Sequence, residues 1–465
     1  MKDHSEAISQ ILPDGGDLPA PHAGPIGVVG LGRSGAAAVR FLAERRHTIL
    51  ACDEKSQVSG SEALAALPGV EVHLGALPAG RLRQCQTVLL SPGVPRSHPA
   101  LQACNLGNDV EWLYRWTRRQ TPPPEFIGIT GSNGKSTVTT LVGLMVQEAG
   151  LPGAVGGNLG DAALSLWHPA MSLYVLELSS FQLESIDRFR PKVGVLLNMT
   201  PDHMDRYPDA AAYLAAKERL FRHLGAGDVA VINAEDPALA ATLANLTRSS
   251  AHVVPFAIDR PVPGGIYVQG EYLVDHRSSH PHPLLAVADI AMVGRHNQAN
   301  AAAAAAAALA CGVPPASVVT VLTRFSGLAH RMELVRTLEG VRYYNDSKGT
   351  NVGAVVASLG SFSRDVVLIA GGRDKNSDFA PLAGQVQNRV TAAVLIGEAA
   401  DALEQILRPV TRVERATDMV QAVHRARDLV PPGGVVLLSP ACASFDMFRN
   451  FEDRGEKFRG AVHGI

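Results

Sequence analysis

Short β-branched and Leu-rich runs alternate with longer helical stretches along the chain, the pattern of parallel sheets covered by helices. The first group of predicted strands is Ile26–Gly30, Thr48–Asp53 and Val88–Ser91. After Thr121-Pro122-Pro123-Pro124 a second group follows: Phe126–Thr130, Leu173–Leu178, Val193–Asn198 and Val229–Asn233. A third group holds Val366–Gly371, Ala393–Gly397 and Val435–Ser439. Three consecutive prolines resist both helix and central strand, so a linker is expected there. A second boundary falls near Phe325–Ala329, where an alanine-rich helical region gives way to new strands. The expectation is an α/β protein of three domains, 25–120, 121–326 and 327–465, behind a flexible extension over 1–24. No solenoid-type repeat is visible.

Composition sharpens this picture. The 465 residues exceed what one compact core holds. With 46% hydrophobic and 18% charged residues, the chain has material for several cores and little sign of bulk disorder. Lys plus Arg number 42 and Asp plus Glu 44, a formal net charge of −2. That balance argues against a nucleic-acid partner, which needs a generally basic surface. The five cysteines, Cys52, Cys85, Cys104, Cys311 and Cys442, are scattered and form no C-x-x-C pair. Neither a disulfide framework nor a zinc cluster fits; a reducing compartment does. The opening MKDHSEAISQILPDGGDLPAPHAG has acidic residues, Pro and Gly where a signal peptide needs an apolar run. Together with the lack of any long apolar stretch, this leads us to expect a cytoplasmic protein with no membrane association.

The clearest chemistry lies in FIGITGSNGKSTVTTL, Phe126 to Leu141. An apolar strand runs through Thr130 into Gly131-Ser132-Asn133-Gly134-Lys135-Ser136-Thr137 and then a helix-compatible stretch. Glycines let successive N–H groups face a polyphosphate, and the helix N-terminus adds partial positive charge. Lys135 suits the β/γ-phosphates, and the Ser136 hydroxyl suits Mg²⁺. The spacing departs from the strict G-x-x-x-x-G-K-[ST] pattern because position 129 is Ile. An ATP-type site in a P-loop-like parallel-sheet domain is expected.

A magnesium-bound triphosphate needs hard oxygen ligands. Glu177 ends an apolar run, at the strand end where α/β proteins place ligands. The strand Val193–Asn198 empties into Met199-Thr200-Pro201-Asp202-His203-Met204-Asp205-Arg206. Alone, His203 fits a hydrogen-bonded loop histidine as well as a ligand. Near the amino terminus, Gly30-Leu31-Gly32-Arg33-Ser34-Gly35 follows a strand and opens a helix, with Asp53 after the next strand. That is a Rossmann-like fingerprint, which by itself also suits an NAD-dependent oxidoreductase.

ITGSNGKST, ELSSFQLE, NMTPDHMDRY, GRHNQAN, LAHRME, NDSKGTN and SPACASFDMFRNFEDRG occur in an order that resembles the Mur ligases of bacterial peptidoglycan synthesis. The similarity runs from about Gly27 to Arg459 and is greatest to the members that add D-glutamate to UDP-N-acetylmuramoyl-L-alanine. It implies Rossmann-like amino- and carboxy-terminal domains around a central ATP-binding domain, and an ATP-dependent amide ligase acting through an acyl phosphate. It also implies two Mg²⁺ ions, held by Ser136, Glu177, His203 and Lys217, the last as a CO₂-derived carbamate. By itself Lys217 reads as a solvated helix lysine. Asn300, Arg331 and Asp346 match ATP contacts, with Lys135, His203, Lys217 and Arg331 as the catalytic set. Taken singly, Asn300 also fits a packed helix position and Arg331 a surface ion pair. D-Glutamate contacts fall on Lys348, Thr350, Lys375, Ser444, Phe445 and Phe451, though Phe451 fits a core aromatic equally well. UDP-substrate contacts fall on Ser34, Asp53, Glu54, Lys55, Gly93 and Asn158. Arg373-Asp374 and Glu54-Lys55 depart from the pairs found in some relatives. The resemblance implies small-molecule partners only and a monomer. Another Mur ligase is the nearest alternative, although no D-N-P-R motif is present. A folylpolyglutamate synthase would share the ATP and carboxy-terminal domains but not the amino-terminal one.

Overall fold

The computed structural model describes residues 18–20, 23–375 and 377–465, so most of the expected extension over 1–24 lies outside the described residues. Among these residues the strands assemble into three sheets. The first contains β1 (Ile26–Val29), β2 (Ile49–Asp53), β3 (Val70–Leu74), β4 (Thr87–Leu90) and β5 (Leu106–Gly107), in the order β3-β2-β1-β4-β5, all parallel. The second contains β6 (Glu125–Thr130), β7 (Gly153–Gly157), β8 (Leu173–Glu177), β9 (Val193–Leu196), β10 (Val229–Asn233), β11 (His252–Ala257), β12 (Ile266–Gln269), β13 (Tyr272–Asp275) and β14 (His282–Ala286). Its order is β14-β13-β12-β11-β10-β9-β6-β8-β7, with β12 to β14 antiparallel at one edge. The third contains β15 (Glu333–Leu338), β16 (Val341–Asn345), β17 (Val366–Gly371), β18 (Val390–Ile396), β19 (Arg412–Arg415) and β20 (Val435–Leu438). Its order is β15-β16-β20-β17-β18-β19, antiparallel only between β15 and β16.

Strands such as IGVV, VGVL and VVLL are buried along their whole length. Helices cover both faces of a parallel sheet, so its central strands read as unbroken apolar runs. The expected strands form with ends shifted by up to three residues, the largest shift being β18, which starts at Val390. β3, β5, β7, β11 to β16 and β19 were not expected. They are partly exposed, very short, or, as in GAVGG of β7, rich in glycine that reads as a turn.

One helix ties the first unit to the second. The helix Asp109–Thr117 is capped by Asn108, whose Oδ1 accepts from the Glu111 amide at 2.9 Å while its Nδ2 donates to Gln182 O at 2.6 Å. Glu111, almost fully buried, accepts the backbone N–H groups of Asp187, Arg188 and Phe189, each at 3.0 Å, and Arg115 Nε at 2.6 Å. One carboxylate thus ties the last helix of the first unit to a loop of the second. Beneath the second sheet's site runs the helix Arg295–Ala310, in which Ala301 to Ala308 are all 0% exposed. Methyl side chains let it press against the helix Lys135–Glu148. No helix of the described residues is long and apolar enough to cross a membrane.

Candidate active site

β6 delivers its chain into the glycine loop, and the helix Lys135–Glu148 leaves it. Gly134, the residue before that helix, has φ +83°, a left-handed conformation that glycine adopts without strain. A Cβ there would also run into Asn300 Oδ1, so the loop and the alanine helix meet at close range. The loop is held from below by Asn198, whose Oδ1 accepts from the Asn133 amide at 2.8 Å. Ser132 Oγ donates to Thr200 O at 2.7 Å, and Thr130 Oγ1 donates to Leu178 O at 2.8 Å.

Two lysines converge on this loop. Lys135 Nζ donates to Gly131 O and Ser132 O, both at 2.8 Å, and Lys217 Nζ donates to the same Gly131 O at 2.9 Å. Burial pushes both amines below the ordinary lysine range, and for Lys217 the charge of Lys135 adds to a strong depression. The sequence-based reading of Lys217 as a solvated helix lysine is therefore wrong: the residue is 1% exposed. The helix Ala210–Glu218 turns it inward beneath the glycine loop, with its ammonium 4.2 Å from the centre of the Tyr213 ring. Periodicity could not reveal this, because five of the helix's nine residues are alanine and no polar face orients it.

Opposite the lysines stands Glu177, at the end of β8 and 2% exposed. Its Oε1 accepts from Asn158 Nδ2 at 2.6 Å, whereas its Oε2 is buried with no hydrogen-bond donor among the described residues. A buried carboxylate oxygen without a donor is costly unless a cation completes it. His203, with φ +59°, packs its ring against Phe181 at 4.9 Å, and burial lowers its basicity. Among the described residues no group of three or more His, Cys, Asp or Glu side chains is arranged as a metal cage. The orphaned Glu177 oxygen, facing the same cavity as the Ser136 hydroxyl, fits a hard cation such as Mg²⁺, which takes one or two carboxylates together with waters and substrate phosphates.

The third unit closes over the second. Arg331 Nη2 donates to Ser136 Oγ at 2.6 Å, and Lys375 Nζ contacts Asp202 Oδ1 at 3.2 Å. Asn351 Nδ2 donates to Asp202 Oδ2 at 3.1 Å and to Asn133 Oδ1 at 3.2 Å. Burial alone would raise the Asp202 carboxyl, but Lys375, His203 and Asn351 together hold it below the usual range. The closure encloses a cavity of about 740 Å³. Ser132, Asn133, Gly134, Lys135, Ser136, Asn158, Glu177, His203 and Lys217 line it from the second unit, and Arg331 reaches in from the third. Lys348, Thr350, Lys375, Ser444, Phe445 and Phe451 also line it from the third. Phe451 is a wall of this cavity, and its ring carries Lys348 Nζ at 3.8 Å from the centroid. Burial and the nearby Arg331 push Lys348 down to about 8. An adjoining cavity of about 280 Å³ is lined by Thr137, Asn300, Asp346, Phe256 and His296. Asp346 is pushed up to about 6 by burial, although Ser439 and Ser358 each donate a hydroxyl to it at 2.7 Å.

The fully buried Arg454 braces the third unit's side of the cleft. Its guanidinium donates to Ser347 O at 2.8 Å and to Cys442 O at 3.1 Å, which fixes the chain leading to Ser444. Sequence reasoning missed this bracing role, along with those of Asp202 and Asn351.

Ser34, Asp53, Glu54, Lys55 and Gly93 line neither cavity. They gather beyond the carboxyl ends of β1, β2 and β4. Both Asp53 oxygens are taken by backbone amides, of Leu31 at 2.7 Å and Lys55 at 3.0 Å, so this carboxylate shapes the glycine loop. Glu54 pairs with His98 at 3.0 Å. Arg33 Nη2 donates to Asn158 O at 3.3 Å, linking this crevice to Asn158 and thence to Glu177.

Residues 25–110 match the Mur ligase MurD-like N-terminal domain, 129–308 the Mur ligase middle domain and 330–442 the Mur ligase glutamate ligase domain. The chain is 40% identical over 447 residues to a UDP-N-acetylmuramoylalanine--D-glutamate ligase of Trichlorobacter lovleyi, covering 94% of this chain and 97% of that one. The chain belongs to the Mur ligase family. A second such ligase, from Nitrosococcus oceani, is 40% identical to this Mur ligase over 453 residues, covering 94% of this chain and 96% of that one. In fold it is similar to the MurC UDP-N-acetylmuramate-alanine ligase of Thermotoga maritima, with TM-score 0.58, 17% identity and coverage of 95% and 99%. It is likewise similar to MurF of Acinetobacter baumannii, with TM-score 0.61, 16% identity and coverage of 95% and 91%.

Proposed function

We propose that this Mur ligase adds D-glutamate to UDP-N-acetylmuramoyl-L-alanine at the expense of ATP, a step of peptidoglycan precursor synthesis. One observation carries the reading. A single cavity joins a glycine loop on which Lys135 and the buried Lys217 converge, an unsatisfied buried carboxylate oxygen and a separate cationic wall from the closing unit. Relatives of the same length at 40% identity carry that activity in their names.

In the reaction, a carboxylate oxygen of the sugar nucleotide attacks the γ-phosphorus, and the bond from that phosphorus to the bridging oxygen of ADP breaks. The amine of D-glutamate then attacks the acyl carbon, loses a proton, and phosphate departs with the carbonyl–oxygen electron pair. Two anions must meet, so cations are needed at the meeting point. We assign Lys135 and the amides from Thr130 to Thr137 to the triphosphate. Arg331, which bridges to Ser136 here, is assigned to the transferred phosphoryl group. Asn300 and Asp346 are assigned to the nucleoside. Ser136, Glu177, His203 and Lys217 as a carbamate would hold two Mg²⁺ ions, and the orphaned Glu177 Oε2 fits that role. When bound, magnesium neutralises phosphate charge and aligns the reacting oxygens. Burial lowers the basicity of the Lys217 amine, which favours the unprotonated form that reacts with CO₂.

Lys348, Thr350, Lys375, Ser444, Phe445 and Phe451 are assigned to D-glutamate, whose two carboxylates match the two lysines. Ser34, Asp53, Glu54, Lys55, Gly93 and Asn158 are assigned to the UDP-sugar. We place the domain boundaries near residues 120 and 326 and expect a cytoplasmic monomer. Phosphate release from ATP should require both UDP-N-acetylmuramoyl-L-alanine and D-glutamate. Release without the sugar nucleotide, or oxidation of NADH instead, would overturn the assignment.

A further inference from the structure

Arg206 stands outside every group of residues assigned above, yet it makes contacts on both sides of the junction between the first and second units. Its Nη1 donates to Pro92 O at 3.1 Å and its Nη2 to Val94 O at 3.4 Å. These carbonyls flank Gly93, which is exposed and where an added Cβ would meet nothing within 4 Å. The fork therefore fixes the chain on either side of an exposed peptide just beyond the carboxyl end of β4, at the residue assigned above to the sugar nucleotide. On the other side the guanidinium carbon lies 3.8 Å from the centre of the Phe181 ring, and that ring is the one His203 packs against. The backbone closes the same link, because the Arg206 and Tyr207 amides both donate to His203 O, at 2.9 and 3.0 Å. Glu184 supplies the counter-charge at 3.7 Å and also accepts from the Tyr207 hydroxyl. A second arginine, Arg96 of the first unit, donates to Glu184 O at 3.0 Å. The guanidinium side chain is 19% exposed, so most of its surface is committed to these partners.

We propose that Arg206 is a positioning residue, which holds the Pro92–Val94 loop in register with the His203 imidazole so that the sugar nucleotide's carboxylate enters the cleft aligned with the transferable phosphate. The proposal rests on the ligase reading above and adds a determinant of sugar-nucleotide use. A planar fork is required, because two carbonyls two residues apart must be held at once while the flat face rests on Phe181. A lysine ammonium keeps the charge but not that geometry.

The test is steady-state kinetics of the full chain and its Arg206→Ala, Arg206→Lys and Phe181→Leu variants, each substrate varied in turn, with ATP affinity measured separately. Arg206→Ala should raise KM for UDP-N-acetylmuramoyl-L-alanine at least tenfold, with KM for ATP and D-glutamate within about twofold. Arg206→Lys should fail to restore it. Phe181→Leu, which leaves both carbonyl contacts in place, should lower kcat more than it raises that KM. Three results would overturn the proposal: an unchanged sugar-nucleotide KM in Arg206→Ala, full rescue by lysine, or an equal loss for all three substrates with a lowered melting temperature. If the unmodified chain itself fails to use the sugar nucleotide, the ligase reading falls instead, so the two failures are separable.

Discussion

Replacing Glu111 by alanine removes the acceptor shared by three backbone amides at the junction of the first two units. The amide of Phe189 is buried, with the phenyl ring 0% exposed, so no solvent replaces the carboxylate there. A stranded buried donor costs about 2–3 kcal/mol. Asp187 and Arg188 are exposed, and water takes over their amides for about 0.5 kcal/mol each. The sum is about 3–4 kcal/mol of local stability, a factor of more than a hundred in the opening equilibrium. Native-state hydrogen exchange at the Phe189 amide reads that quantity directly and does not require the whole chain to unfold in one step. Glu111→Gln keeps an acceptor oxygen and should lose about half as much. If Phe189 in Glu111→Ala stays protected to within tenfold of the unmodified chain, the reasoning is wrong, and the junction is held by other contacts.

Gly134→Ala forces a side chain into a left-handed position against Asn300; it should weaken ATP binding at least tenfold by calorimetry and lower the melting temperature by a few degrees. Glu177→Gln should raise the Mg²⁺ concentration needed for half-maximal phosphate release more than tenfold without altering metal-free nucleotide binding. Lys375→Ala breaks the partly buried pair with Asp202 and should reduce the closed population about tenfold, seen as a larger radius in X-ray scattering and a raised KM for D-glutamate. Asp346 is raised from an unfolded value of about 3.9 to about 6. Its contribution to stability is fully present below about pH 4 and is lost as pH rises through about 6, worth about 3 kcal/mol. Urea unfolding of Asp346→Asn across that interval should lack this dependence, and an identical pH profile would contradict it.

The parallel core and the glycine loop were legible in the sequence because both are contiguous signals: an apolar run bounded by turns, and a phosphate-cradling loop opening a helix. β15 and β16 were not, since β15 is a half-exposed edge with adjacent Arg336 and Thr337, and β16 is a short VRYYN run interrupted by the exposed Arg342. β12 to β14 were hidden by the intervening turns and by prolines such as Pro283. In the site, residues inside motifs could be named one by one. Asp202 meeting Lys375, or Arg206 meeting Pro92, could not, because the partners lie 173 and 114 residues apart and no local pattern encodes the encounter. Lys217 shows the same limit for burial, which is set by what packs over a helix.

The eight alanines from Ala301 to Ala308 are interchangeable to whatever lies against them. A helix with so uniform a shank, slid along its axis by one turn, would meet its neighbours with the same row of methyls. Nothing in the middle tells the right depth from the wrong one. That information resides at the ends: Asn300, whose amide donates to Asn297 Oδ1 at 3.0 Å, marks the top, and Leu309 marks the bottom. Asn300→Ala would leave Ala299 to Ala308 without interruption. The asparagine assigned to the nucleoside therefore doubles as the index mark that seats the helix, and its loss would blur the depth of the whole nucleotide floor as well as remove one contact.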